Sequence, residues 1–201
     1  MYQESIMPVV TFLEIINLII LSAAIGYIFT GYVKAPENIS RIKTRFNWHD
    51  FKLALLVAAP GVVLHELAHK FIAIAFGLGA FFQVWYPGLG IAIFLKLINS
   101  PFLIIAPGYV NISNNELLEP FMNNLINVII SFAGPAINLI IWIIVSLILN
   151  NAKRLTRTQA TVLYLTKKIN FLLFVFNMLP IPPLDGFHVL FGIFKLIFSS
   201  F

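Results

Sequence analysis

Long apolar segments constrain the fold of this chain more than any other sequence feature. Residues 9–29, 51–76 and 125–149 are mostly apolar, and each is close to or above the roughly 20 residues that a helix needs to cross a bilayer. Hydrophobic residues make up 60% of the 201 positions and charged residues only 10%. Because no water-soluble domain could cover so much apolar surface, the sequence predicts a multi-pass integral membrane protein.

A fourth apolar segment, residues 169–201, is interrupted by the proline-rich stretch NMLPIPPLDGFH. The sequence therefore predicts a membrane all-α core of about four transmembrane segments, the last one broken. Residues 1–50 are expected to form an N-terminal transmembrane helix and a basic linker, and residues 51–201 a single core. The start, MYQESIMP, lacks a basic region before its apolar run, so this first segment is expected to remain as a helix.

Residues 80–125 are apolar but contain prolines and glycines at short intervals. The runs 81–86 and 102–106 have the length of strands and are rich in aromatic and β-branched residues. This pattern predicts a small membrane-embedded region of two or three strands with a short helix near residues 91–98. A complete additional span is the alternative.

The second apolar segment contains the sequence LHELAHK at positions 64–70. His65 and His69 are four residues apart, so on a helix both imidazoles share one face and can bind one ion. Glu66 lies about 100° around the helix from His65, where it can reach a water beside the ion without binding the ion itself. Three ionisable side chains at membrane depth are unfavourable unless a cation compensates them. Because the chain has no cysteine, the ligands must be His, Asp or Glu.

Depth in the membrane selects a candidate for a third ligand. His65 and His69 lie 14 and 18 residues after position 51, and Asp185 lies 16 residues after position 169. If residues 80–125 make no net crossing, both segments enter from one surface and the three side chains meet at one depth. The prolines at 180, 182 and 183 prevent a regular helix there, and such backbone is tolerated at membrane depth only where it lines a cavity or is buried in protein.

Three further residues in apolar sequence are assigned simpler roles. Asn177 is expected to hydrogen-bond the freed backbone or the substrate, and Gly186 is expected to permit a sharp turn. Glu14 lies near the end of the first segment and is expected to reach the membrane interface.

The motifs HELAH at 65–69, GPAIN at 134–138 and NMLPIPPLDG at 177–186 together resemble the site-two protease family of intramembrane zinc metalloproteases. The resemblance covers residues 51–190 approximately. It implies that His65, His69 and Asp185 bind zinc, and that Glu66 is the general base that deprotonates the attacking water and then protonates the leaving amine.

The resemblance also suggests a role for two asparagines. Asn138 matches the last position of the family's Gly-Pro-x-x-Asn motif, which implies that it orients the substrate or stabilises the oxyanion. A helix–helix hydrogen bond beside a close-packing Gly134 is the alternative for Asn138. Asn177 is expected to be structural or to position the substrate. The chain departs from many family members at Phe187 and His188, where those members have a second glycine and a basic residue.

The expected function is a zinc-dependent intramembrane endopeptidase that cleaves transmembrane protein substrates in regulated intramembrane proteolysis. Its expected partners are such a substrate, which pairs with a strand edge in residues 80–110, and the lipid bilayer. No nucleic acid is expected, because the net charge of +5 is scattered over short loops. A zinc-binding transporter or sensor and an inactive scaffold are the alternatives. The positive-inside rule places the linkers 31–52 and 150–168 in the cytoplasm, whereas the resemblance implies the opposite orientation.

Overall fold

The computed structural model describes residues 9–30, 32–33, 46–98, 100, 108–113 and 119–198. Helices dominate these residues, and one small sheet accompanies them. The elements are, in chain order, α1 Phe12–Phe29, α2 Trp48–Ala75, β1 Ala80–Val84, α3 Tyr86–Leu97, β2 Gly108–Ile112, α4 Pro120–Asn151, α5 Arg157–Asn177 and α6 Asp185–Phe198.

Three of the helices, α1, α2 and α4, are long and apolar enough to cross a membrane. Many of their large apolar side chains are exposed on the protein surface, where lipid rather than water is the favourable solvent. These observations confirm the prediction of a multi-pass membrane protein with a mostly helical core. The count of about four spans stays a prediction, and the described residues contain three candidate spans.

The ends of the first two long helices follow from local sequence. Thr11 caps α1 in a capping box with Glu14, and the side chain of Asn47 accepts hydrogen bonds at the start of α2. Helix α2 continues through Pro60. Gly77, with a φ of 76°, lies just after its end, where the left-handed backbone favours glycine.

The last apolar segment is broken, as predicted, but its first helix begins earlier than expected. Helix α5 begins at Arg157, inside the stretch 150–168 that the sequence indicated as a basic linker. The reason is a capping box between Thr156 and Gln159, which satisfies backbone donors at the helix start. The break covers residues 178–184, and α6 then continues for 14 residues. Neither α5 nor α6 is among the helices that are long and apolar enough to span a membrane.

The region between α2 and α4 contains a two-stranded antiparallel sheet in which Phe82 pairs with Val110. Helix α3 follows β1 and precedes β2 in the chain. It has 12 residues, too few for a span of about 20. It begins before the expected residues 91–98 because Pro87 lies in its first turn, where proline needs no backbone donor. The predicted strand at 102–106 lies outside the described residues.

The main apolar core is formed by α1, α2, the sheet and α3, and it includes Ile169 of α5. Helix α4 packs against α2, α5 and α6, and α5 also packs directly against α2. Glu14 lies inside the protein with 1% of its surface exposed. The expectation that it reaches the membrane interface is therefore wrong; its side chain contacts Lys70 of α2 instead.

Candidate metal centre

The two motif histidines and the distant aspartate meet in one cluster. His65 and His69 lie one turn apart on α2, and their Nε2 atoms are 3.1 Å from each other. Asp185 is the first residue of α6, and its Oδ2 lies 3.0 Å from Nε2 of His65 and 3.5 Å from Nε2 of His69. The structure thus brings together the three residues that the sequence proposed as ligands.

The spacing of these donor atoms fits a zinc ion. Zinc bonds to histidine nitrogen and carboxylate oxygen at about 2.0–2.2 Å, so the corners of a tetrahedral site are about 3.3–3.6 Å apart. The three separations of 3.0, 3.1 and 3.5 Å are close to these edges. Three protein ligands leave one position of a tetrahedral zinc ion for water or substrate, as in catalytic sites.

The hydrogen bonds of the Nδ1 atoms direct both Nε2 lone pairs toward the ion site. Nδ1 of His69 lies 2.7 Å from the backbone carbonyl oxygen of Ile130. Because a carbonyl can only accept, this Nδ1 carries the hydrogen, and Nε2 of the neutral ring is free to bind a metal. Nδ1 of His65 lies 2.7 Å from Oδ1 of Asn138, which orients this ring in the same way.

The orientation of the Asn138 amide is set by its other contacts. Its Nδ2 donates to the backbone carbonyl of Gly61 at 3.0 Å and to Oδ1 of Asn170 at 3.0 Å. Since the Gly61 carbonyl cannot donate, Oδ1 of Asn138 faces His65. Asn170 is held in turn, because its Nδ2 donates to the carbonyl of Thr166. This chain of amides connects α2, α4 and α5 behind the imidazole of His65.

Asn138 is fully buried, and its side chain hydrogen-bonds His65, Gly61 and Asn170. Its contacts therefore favour an effect on the reaction through His65. Direct contact with the substrate or with the oxyanion, which the resemblance implied, stays a prediction.

Replacing Asn138 with Ala is expected to weaken zinc binding. The change removes the acceptor of His65 Nδ1, and the loss of such an outer partner typically lowers metal affinity about 10–100-fold. Competition with a chelator of known affinity measures the change. Asn127→Ala is the matched control, since Asn127 lies on the exposed side of the same helix. Equal zinc affinity in both variants would contradict the role of Asn138.

Two glycines allow the backbones around the cluster to approach closely. A Cβ added at Gly134 would lie 2.3 Å from Nε2 of His69 and 2.6 Å from Nε2 of His65. Gly134 therefore leaves free the space beside the donor atoms that an ion needs. A Cβ at Gly186 would lie 2.4 Å from the backbone carbonyl carbon of Met178. Gly186 is helical, so close packing rather than the predicted sharp turn explains its presence.

An open cavity of about 260 Å³ lies against the cluster. Glu66 lines it together with the three cluster residues, and its side chain is nearly buried. Asn177, the last residue of α5, also lines the cavity, which is the position expected of a substrate-positioning residue. Strand β2 forms part of another wall.

Several residues of the site were not recognised as such in the sequence. His188 lines the cavity one turn after Asp185, although the sequence showed it only as a departure from the family pattern. Asn170 carried no local signal, because its partner Asn138 is 32 positions away. The tight contact of Gly134 with both imidazoles was also missed, since a GPAIN motif indicates close packing but not the packing partner.

Comparison with known proteins agrees with this geometry. The profile described as peptidase family M50 matches residues 148–201, a part of the chain that contains Asp185. A protein of Methanocaldococcus jannaschii that is named as a zinc metalloprotease is 33% identical over 181 residues. The matched region covers 88% of this chain and 83% of that protein. The comparison with solved structures found no match.

The similarity therefore extends over most of both chains. Zinc, the metal in the name of this relative, suits the two histidine nitrogens and one carboxylate oxygen at His65, His69 and Asp185 and the distances between them. The resemblance to the site-two proteases is confirmed. This chain belongs to peptidase family M50, the site-two protease family, and is an integral membrane zinc metalloprotease.

Proposed function

We propose that this protein is an endopeptidase that cleaves a peptide bond within the transmembrane segment of a protein substrate. The observation that carries the proposal is the shared cavity of Glu66, the three-residue cluster and strand β2. Two of the three cluster residues, His65 and His69, lie well inside α2, a helix long and apolar enough to cross a membrane. A bond cleaved in this cavity would come from a substrate that is itself in the membrane.

Zinc held by His65, His69 and Asp185 would supply a Lewis acid and make the attacking water more acidic. Glu66 accepts a proton from this water, and the water oxygen attacks the carbonyl carbon of the scissile bond. Glu66 then delivers the proton to the leaving nitrogen as the C–N bond breaks. A nearly buried carboxylate in the cavity suits both transfers, because it can reach the reacting atoms while little water surrounds it.

The substrate must be extended near the scissile bond, since a helix hides its carbonyls in its own hydrogen bonds. Strand β2 offers an edge for such a segment. One side of β2 pairs with β1, and no third strand joins the sheet within the described residues. Tyr109, Val110 and Ile112 of β2 line the cavity. We propose that the unwound substrate pairs with β2 by strand addition, which places its backbone beside the cluster.

Purified protein in vesicles with a single-span substrate tests the function. Mass spectrometry of the two fragments is expected to place the cut inside the transmembrane segment, and chelation of zinc is expected to stop the reaction. Cleavage only outside the membrane segment would contradict the proposal. Zinc movement across the vesicle membrane without any cleavage would support a transporter instead.

Cross-linking tests the strand pairing separately. Because the chain has no cysteine, Tyr109→Cys creates a single thiol on β2, and Glu66→Gln in the same chain prevents turnover. A substrate with one cysteine beside the scissile bond is expected to form a disulfide with it. Leu147→Cys is the control, since Leu147 is exposed on α4 and lies about 20 Å along the helix from Gly134. Equal yields at the two positions would contradict strand addition.

A further inference from the structure

A buried ion pair that the proposed chemistry does not use lies behind the sheet. Glu14 of α1 and Lys70 of α2 contact each other, and each has only 1% of its surface exposed. Lys70 directly follows the candidate ligand His69 in the chain. The pair therefore joins the N-terminal helix to the turn of α2 that carries the metal cluster.

The carboxylate of Glu14 connects a third element as well. Its Oε1 accepts the backbone N–H of Phe82 in β1 at 2.8 Å, in addition to the Lys70 ammonium. Its Oε2 accepts the N–H and the hydroxyl of Thr11, which fixes the carboxylate at the start of α1. One side chain thus holds α1, α2 and β1 at a single point.

This point lies one strand away from the cavity. Phe82 pairs with Val110 of β2, and Val110 lines the cavity. The Phe82 side chain is completely buried, so β1 is held both by the hydrogen bond of the Phe82 N–H to Glu14 and by the packing of this side chain. A shift of β1 relative to α2 would move β2 relative to the metal cluster.

Stability alone is a weak explanation for such a pair. Removing two charges from water costs free energy that their attraction often fails to recover, and matched neutral residues frequently replace a buried pair without loss. A defined geometry between two elements is a better-supported use of buried polar contacts. In this protein the pair would define the distance between the edge of β2 and the candidate metal ligands on α2.

We propose that Glu14 and Lys70 are positioning residues that fix strand β2, through β1, at the distance from His65 and His69 that substrate binding requires. This inference rests on the proposed function, because it assigns β2 to the substrate. Neither residue lines the cavity, so neither is expected to contact the substrate.

The double variant Glu14→Gln/Lys70→Met tests the proposal. It removes both charges together, keeps an oxygen for the Phe82 N–H and leaves no unpaired buried charge. We expect full zinc content, a KM for the transmembrane substrate raised about tenfold and a kcat within about twofold of the wild type. Lys70→Arg keeps the cation and is expected to retain the wild-type KM. A double variant with unchanged KM, or one that loses zinc because it misfolds, would overturn the proposal. So would a KM in Lys70→Arg as high as in the double variant.

A second measurement needs no substrate. Spin labels on Gln83→Cys in β1 and Leu56→Cys on the exposed side of α2 report the separation of the two elements. The distance distribution is expected to broaden or shift in the double variant and to stay unchanged in Lys70→Arg. An unchanged distribution in the double variant would overturn the positioning role. Absence of proteolysis in the wild type, in contrast, would contradict the proposed function while this distance measurement still tests the pair.

Discussion

Glu66→Gln is expected to abolish proteolysis while the protein keeps its zinc. The glutamine has nearly the same size and can occupy the same place in the cavity, but it cannot accept a proton from the attacking water. General acid–base catalysis typically contributes about 10²–10⁴-fold to a rate, so a loss of at least this size is expected in kcat. The cluster of His65, His69 and Asp185 does not include Glu66, so the metal ligands are unchanged.

Two measurements on the same preparation check this result: the rate of substrate cleavage and the zinc content by elemental analysis. Glu119→Gln is the matched control, because Glu119 is exposed at the start of α4 and does not line the cavity. The control is expected to cleave at the wild-type rate. A Glu66→Gln protein that cleaves normally, or one that has lost its zinc, would contradict the role of general base.

Gly134→Ala is expected to prevent zinc binding. The added methyl group would lie 2.3 Å from Nε2 of His69 and 2.6 Å from Nε2 of His65, whereas real Cβ contacts are essentially never shorter than 3.0 Å. The backbone of α4 is packed against α2, so the imidazoles must turn away from the ion site. Loss of an outer hydrogen-bond partner already costs about 10–100-fold in metal affinity. Because the methyl group obstructs two ligands directly, we expect the zinc affinity to fall at least about 100-fold.

Zinc affinity by chelator competition measures this effect, and circular dichroism shows whether the helices are retained. Gly90→Ala is the control, since a Cβ at Gly90 would meet nothing within 4 Å. It is expected to bind zinc like the wild type. Wild-type zinc affinity in a folded Gly134→Ala protein would show that the imidazoles do not face α4 as described.

The metal cluster could be predicted because its signals are local or depend on membrane depth. The spacing of His65 and His69 is a property of any helix, and the depth of Asp185 follows from counting residues along apolar segments. The helix start at Arg157 also has a local signal, the capping box of Thr156 and Gln159, but the basic composition of residues 150–168 led to the prediction of a linker there. The pairing of Glu14 with Lys70 joins residues 56 positions apart, so no local pattern indicates it.

The pairing of the two strands in the small sheet is also a long-range contact that no local pattern indicates. Strand-length runs rich in aromatic and β-branched residues indicated strands in residues 80–125, and β1 is confirmed close to its predicted position. The pairing of β1 with Gly108–Ile112 depends on contacts with α1 and α2 that a single sequence does not reveal. The contact of Gly134 with both imidazoles depends in the same way on how α4 packs on α2.

Diffraction at the zinc absorption edge from crystals of the purified protein tests the central claim most directly, because the anomalous signal locates the ion itself. One peak is predicted within about 2.0–2.2 Å of Nε2 of His65, Nε2 of His69 and a carboxylate oxygen of Asp185. A zinc peak that contacts the imidazoles but not Asp185, or a fully loaded protein whose zinc lies elsewhere, would contradict the account.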